Sequence, residues 1–369
     1  MQGKNLVRRQ HVVSKFYLKG FANDIGKGQL LRVPLPGENS YRVSVNDATV
    51  QKDFYSLTND RGELDDSLEE AFSRIEDEAA KALQAILIEP GMPIGIDDKR
   101  DFSYWLAVQY LRTVGFRQLE QESESQIIRA VVGQSGKAVL KRHIERFEGH
   151  QVSPDRLEFE WTELTKDGGP TLKSGAEYHQ ESLLDGLYEF SWRVFQSQWV
   201  LESYSDEVLL TGDHPVILLE SGKVHGRDLV GTLSARILSV PLSRKLGLTV
   251  YLDSIWNDRQ ITGDLASSRE RNQLLIDNTR QTLLLHPEDS SLVDEYELPA
   301  ERNFELDPSI GRALIREEGN FGDVSPEEAH RRNLLPAIWN RYGKSLTIED
   351  IPWPISRRVN RWIHRTTLD

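Results

Sequence analysis

The alternation of hydrophobic and polar positions changes period along this chain. Before about residue 60, "GQLLRVPLPGENSYRVSVNDATVQKDFYSL" holds its apolar residues in short β-rich runs around a "PGEN" turn. That pattern predicts a hairpin over 28–57 that continues as extended chain. Beyond it the apolar spacing becomes three and four residues. In "ELDDSLEEAFSRIEDEAAKALQAIL", Leu64, Leu68, Ala71, Phe72, Ile75, Ala79, Leu83 and Ile86 share one face. Asp65 and Asp66 suit a first turn, so an amphipathic helix is predicted. "EPGMPIG", with Pro90 and Pro93, breaks it, and a second long helix starts near Lys99. Together they make a helical layer over 62–132.

On the second helix Phe102, Leu106, Thr113 and Phe116 form a stripe that also carries Gln109, with Arg112 flanking it. A buried polar side chain without a partner costs about 1–3 kcal/mol. The pair therefore either braces neighbouring helices through a satisfied network, or opens a polar cleft that meets a substrate with an amide and a guanidinium.

Residues 133–175 read as irregular and polar, a boundary or insertion ending in the loop "GGPTLKSG". A helix over about Ala176 to Phe190 leads into "WRVFQSQWVLES", "VLLTGDHPVILLE", "ARILSVPLS" and "LGLTVYL", which predict a small sheet within 190–252. A helix over 264–284 follows. The order of elements predicts an α+β fold, predominantly helical, with an N-terminal β-hairpin and a small mixed or antiparallel sheet. Residues 1–285 read as one domain and 286–369, with "SPEEAHRRNLLPAIWNRYGKS", as a helical C-terminal extension.

Composition narrows the chemistry. There is no cysteine, which removes thiolate nucleophiles and sulfur-ligated zinc. No apolar run approaches the roughly 18 residues of a membrane helix, and "MQGKNLVRRQ" has no apolar signal region, so a soluble cytoplasmic protein without a membrane partner is expected. The net charge of −13 argues against a chain coated in nucleic acid. A local basic face remains in the tail, where "ISRRVNRWIHRTT" places Arg357, Arg358, Arg361 and Arg365 among Trp362 and Ile363 at helical spacing. The simple reading is a packed helix with exposed arginines; the alternatives are nucleic-acid recruitment or a homo-oligomer formed through the extension.

No phosphate-binding loop, zinc-protease helix or nucleophile elbow occurs in the sequence. Two stretches stand out instead. "TGDHPV" at 211–216 sets Asp213 and His214 in a turn between apolar runs, where a scaffold can present reactive groups. Asp213 can hold a divalent cation, magnesium or manganese, or orient a histidine; it can equally cap its own turn. "QHVVSKFYLKGFA" at 10–22 surrounds His11 with aromatics. Phe16, Leu18 and Phe21 suit a core, and Tyr17 carries a hydroxyl able to join a polar network.

These stretches, with "VQKDFYSL", "LEEAFSRIEDEAAKAL", "WLAVQYLRTVGFR", "ILSVPLSRKLGLTV" and "RNQLLIDNTRQTLL" in order over 10–285, resemble the blocks of Domain of Unknown Function family 4238. The resemblance implies positions and no chemistry. Its histidine matches His11, with Ser14 where the family pattern has proline. Its helix block matches Gln109 and Arg112, its Ser-Asp-Asn-Pro turn matches Gly212, Asp213, His214 and Pro215, and a late asparagine matches Asn272. An acid/base histidine, a carboxylate, an arginine and amides suit phosphodiester chemistry on a nucleic acid or nucleotide. In that expectation His11, Arg112 and Asp213 are catalytic, with Asp213 orienting His11 or holding a metal. Gln109, His214, Asn272 and Tyr17 contact substrate. The alternative is a non-enzymatic binding module whose polar network is structural.

Overall fold

The computed structural model describes residues 9–23, 28–37, 39–52, 57–58, 64–65, 67–113, 116, 125, 128–129, 131–133, 135–166, 171–173, 176–220, 230–232, 235–252, 254, 257–300 and 356–358. In chain order the strands and helices are β1 (Arg9–His11), α1 (Lys15–Leu18), β2 (Gln29–Pro34), β3 (Tyr41–Ser44), β4 (Val50–Lys52), β5 (Leu57–Thr58) and β6 (Leu64–Asp65). Helices α2 (Ser67–Ile88), α3 (Ile96–Leu111), α4 (Lys137–Glu148) and α5 (Pro154–Thr165) follow. Then come β7 (Thr171–Lys173), α6 (Ala176–Gln196), β8 (Gln198–Ser203), β9 (Thr211–Gly212), β10 (Ile217–Leu219), β11 (Ile237–Ser243) and β12 (Leu246–Tyr251). The last are β13 (Arg259–Thr262), α7 (Leu265–Asn278), β14 (Thr282–Leu285) and β15 (Ser356–Arg358). The fold is α+β, as the order of elements predicts. The chain divides into two units, 1–116 with 181–303, and 117–180 with 304–369.

In the first unit α2 and α3 form by the expected stripe. α2 buries Phe72, Ala79, Ala82, Leu83 and Ile86. It begins at Ser67, after Leu64 and Asp65 pair as β6 with β5; Asp66 lies outside the described residues. α3 starts a turn earlier than expected, where Asp97 and Asp98 meet the positive end of the helix. It buries Phe102, Trp105, Leu106, Val108 and Leu111 with residues of α1, α2 and the sheet in one core.

Five strands form a sheet in the order β10-β11-β12-β8-β13, antiparallel except for the β13–β8 pair, and therefore mixed. A second sheet runs β3-β2-β14-β9, so the expected hairpin is there with β14 beside it. The helix expected over 264–284 stops at Asn278, and residues 282–285 form β14. "TLLL", one threonine and three leucines, is buried at every position and is a short run that fits either period, and no glycine or proline marks the break.

The second unit corrects the reading of 133–175 as irregular. α4 and α5 lie there, separated by the left-handed Gly149 (φ 73) and by Ser153, whose hydroxyl caps α5 ahead of Pro154. They bury Leu140, Ile144, Val152 and Leu164 in a small core of their own. The apolar positions are sparse among charges, which hid two short helices. Residues 356–358, including Arg357 and Arg358, pair as β15 with β7 and are not helical. Pro287–Glu295 forms 3-10 turns, while residues 301–355 and 359–369, with Arg361, Trp362, Ile363 and Arg365, lie outside the described residues.

Candidate functional site

The N-terminal arm is placed by β1, which pairs antiparallel with β4 and sets His11 opposite Val50. Its path then turns into α1, and Ser14 at the turn becomes a polar hub. The Ser14 N–H donates to Gln109 Oε1 at 3.1 Å, and its hydroxyl lies 2.9 Å from Glu76 Oε1 and 3.2 Å from Gln109 Oε1. Trp105 Nε1 donates to the same hydroxyl at 2.7 Å, and so does Arg112. Arg112 also donates to Gln109 Oε1 at 2.9 Å and forms an ion pair with Glu76. Gln109 Nε2 completes the set by donating to the Val12 carbonyl at 3.0 Å. A proline at position 14 would have neither the N–H nor the hydroxyl, so the serine rewires this corner.

His11 sits at the edge of that network. Its Nε2 lies 3.0 Å from the Asn46 carbonyl oxygen. A carbonyl only accepts, so Nε2 carries the proton and the lone pair of a neutral ring lies on Nδ1. Burial pushes the His11 pKa down; the Asn46 bond and Glu76 oppose that, while Lys15 and Arg112 add to it, and the net direction is downward. Lys15 is exposed, whereas Arg112 is buried.

The other expected residues lie apart from His11. Asp213 Oδ1 accepts from the Arg280 N–H at 3.1 Å and Oδ2 from the Gln281 N–H at 2.8 Å, with His214 Nδ1 3.2 Å from Oδ1. These bonds tie the 211–216 turn to the link between α7 and β14. Asn272 does similar work: Oδ1 accepts from Leu210 N at 3.0 Å, and Nδ2 donates to the Val208 carbonyl and the Tyr296 hydroxyl. Tyr17 is fully buried, its hydroxyl 2.8 Å from Thr211 Oγ1, and burial pushes its phenol up. The structure thus joins Gln109 and Arg112 to the His11 arm. No hydrogen bond or ion pair joins Asp213, His214 or Asn272 to His11 among the described residues.

Burial works to raise the Asp213 carboxyl, but His214 and the Arg280 and Gln281 N–H groups outweigh it and hold the pKa below its ordinary value. A depressed carboxyl stabilises the fold above its unfolded pKa and loses that contribution as pH falls through the folded one. Asp213→Asn offers one oxygen to two N–H groups and is expected to cost about 1–3 kcal/mol at pH 7. Urea midpoints from pH 7 to pH 3 should show a deficit that shrinks in acid; a constant deficit would sink the assignment.

Several functional-looking side chains escape a reading of the sequence. Glu76 stands four residues after Phe72 and three before Ala79, a carboxylate at the margin of an apolar stripe, and that spacing was the available signal. Arg271 on α7 crosses the five-stranded sheet and donates to Glu202 Oε2 at 2.8 Å, Ser239 Oγ at 2.8 Å, Thr249 Oγ1 at 3.0 Å, the Leu248 carbonyl at 3.2 Å and the Tyr204 hydroxyl at 3.3 Å. Lys99 is buried against Trp199, with Nζ 2.8 Å from Asp258 Oδ2 and 2.9 Å from the Ser197 carbonyl. Among the described residues no group of three or more His, Asp or Glu side chains could hold a metal ion, and no helix is long and apolar enough to cross a membrane.

An α+β scaffold with an N-terminal histidine arm closed over a Gln-x-x-Arg helix defines the class. The chain belongs to the family DUF4238, described as a protein of unknown function, whose model matches residues 9–289. Comparisons with curated proteins and with solved structures found no match.

Proposed function

We propose that this protein is a cytoplasmic hydrolase acting on a phosphodiester, a nuclease-like effector, with His11 as general base. The observation that supports the reading is the His11 ring: held neutral, with Nε2–H bonded to Asn46 and no hydrogen bond to Nδ1 among the described residues. A neutral imidazole with a fixed tautomer is ready to take a proton from water or a sugar hydroxyl. Exposed Lys15 and buried Arg112 both act on the ring as positive charges, and an anionic substrate suits that field. Arg112 is engaged by Glu76, Ser14 and Gln109, so in this reading Lys15 meets the phosphoryl oxygens and Arg112 supports the site.

One observation favours a second reading. Arg112 is only 3% exposed and its two terminal nitrogens donate to Glu76, Ser14 and Gln109, as in a strut of a non-enzymatic binding module. Incubation with RNA, DNA and nucleotides, with and without Mg²⁺ or Mn²⁺, separates the two. Turnover that drops about 10²- to 10⁴-fold in His11→Ala is the expected result. Absence of turnover on every substrate, or a His11→Ala protein as active as the parent, overturns the hydrolase reading.

A further inference from the structure

Glu76 is bound on one side only. Its Oε1 takes the Ser14 hydroxyl and Arg112, whereas Oε2 has no hydrogen-bond partner among the described residues, and the side chain is 25% exposed against 3% for Arg112. The network therefore holds the carboxylate through one oxygen. The same network holds the His11 arm: Ser14, three residues after His11, bonds Glu76 at 2.9 Å, and Gln109 bonds the carbonyl of Val12, the residue next to His11, at 3.0 Å, so the charges of Glu76 and Arg112 act on the ring.

We infer that Glu76 is the positioning carboxylate of the His11 site, fixed by Ser14 and Arg112 so that its negative charge stabilises the imidazolium formed when His11 accepts a proton. The inference rests on the hydrolase reading. In the step concerned, the attacking oxygen gives its proton to His11 Nδ1 and its electron pair to phosphorus. The bond from phosphorus to the leaving oxygen breaks with its own pair, and that oxygen takes a proton from the imidazolium or from solvent. During this interval His11 carries a positive charge beside Lys15 and Arg112, both of which oppose it, and the Asn46 carbonyl holds Nε2–H. Among the described residues Glu76 is the anionic side chain that acts on the ring, and its bond to Ser14 holds it against the His11 arm.

Glu76→Gln keeps an acceptor for Ser14 and Arg112 and removes the charge. In the full chain kcat is expected to fall about tenfold or more with KM little changed, as expected for an interaction made only in the transition state. The His11 titration midpoint, followed by NMR of its ring protons, is expected to move down, and Glu76→Asp should restore part of both. Wild-type kcat with an unmoved His11 midpoint in Glu76→Gln overturns the inference. If the parent protein turns nothing over, the hydrolase reading fails. The His11 midpoint then still decides whether Glu76 governs the ring, and Glu76→Asp supplies that answer if the glutamine variant does not fold.

Discussion

Arg271→Ala is expected to destabilise the protein by about 3–5 kcal/mol, the scale for removing one partner of a buried ion pair. The guanidinium is 6% exposed and lies so close over β12 that a Cβ on Gly247 would stand 2.6 Å from Arg271 Nε. Removing it strips the donor from Ser239, Thr249, the Leu248 carbonyl and Tyr204, and leaves Glu202 buried beside an empty space. The pH dependence identifies the cause. Burial tends to raise the Glu202 carboxyl, but Arg271, with Ser267 and Tyr204, holds it below its ordinary value. In the parent this contribution is present above the unfolded glutamate pKa and fades as pH falls through the lower folded value. Without Arg271 burial wins, Glu202 titrates high, and the penalty should ease toward acid as the carboxyl takes a proton. Urea midpoints at pH 7 and pH 4 test this, and a loss under about 1 kcal/mol or an equal loss at both pH values would refute it.

Trp105→Ala is expected to cost a similar amount, about 3–5 kcal/mol, through the cavity it leaves. The indole is fully buried, with its ring centroid 4.8 Å from Phe102, 5.2 Å from Phe16 and 5.3 Å from Tyr17. It is also the neutral donor to the Ser14 hydroxyl, so it carries both the packing under the N-terminal arm and part of its polar tie. Trp105→Phe isolates the second part. It keeps most of the ring volume, drops the N–H, and should lose about 1–3 kcal/mol. Thermal or urea unfolding measures both variants; equal losses would mean that the hydrogen bond, and not the cavity, dominates.

The helical layer was legible because α2 and α3 repeat apolar residues over several turns, and Gln109 showed itself as a polar break in such a stripe. Its partners were not legible. Ser14 sits between two short apolar runs and Glu76 at the margin of a helical stripe, and only the β1–β4 pairing and the α2–α3 contact bring them to Gln109. His11, Arg112 and Asp213 share one pattern in the sequence, each a polar residue in an apolar block. That pattern establishes that each needs a partner and is silent on which one. For Asp213 the partners are His214 and the backbone N–H groups of Arg280 and Gln281, which lie in a distant segment and not in its own turn. Arg271 stands among the charged Arg269 and Glu270, and Glu202 closes the apolar run 199–201, so nothing local in either segment points to the other across the sheet.

β14 gives the molecule a long wait during synthesis. Leu283 and Leu284 pair with Val33 and Arg32, and on the other side with Gly212 and Thr211. A ribosome releases β2 and β3 early, but the strand that belongs beside them emerges some 250 positions later, after nearly all of the family region has been made. Until then β2 offers an unpaired edge to any other extended chain, the kind of edge that invites aggregation. The cell must keep that hairpin solitary while the ribosome finishes the turn at Asp213 and the helix behind it.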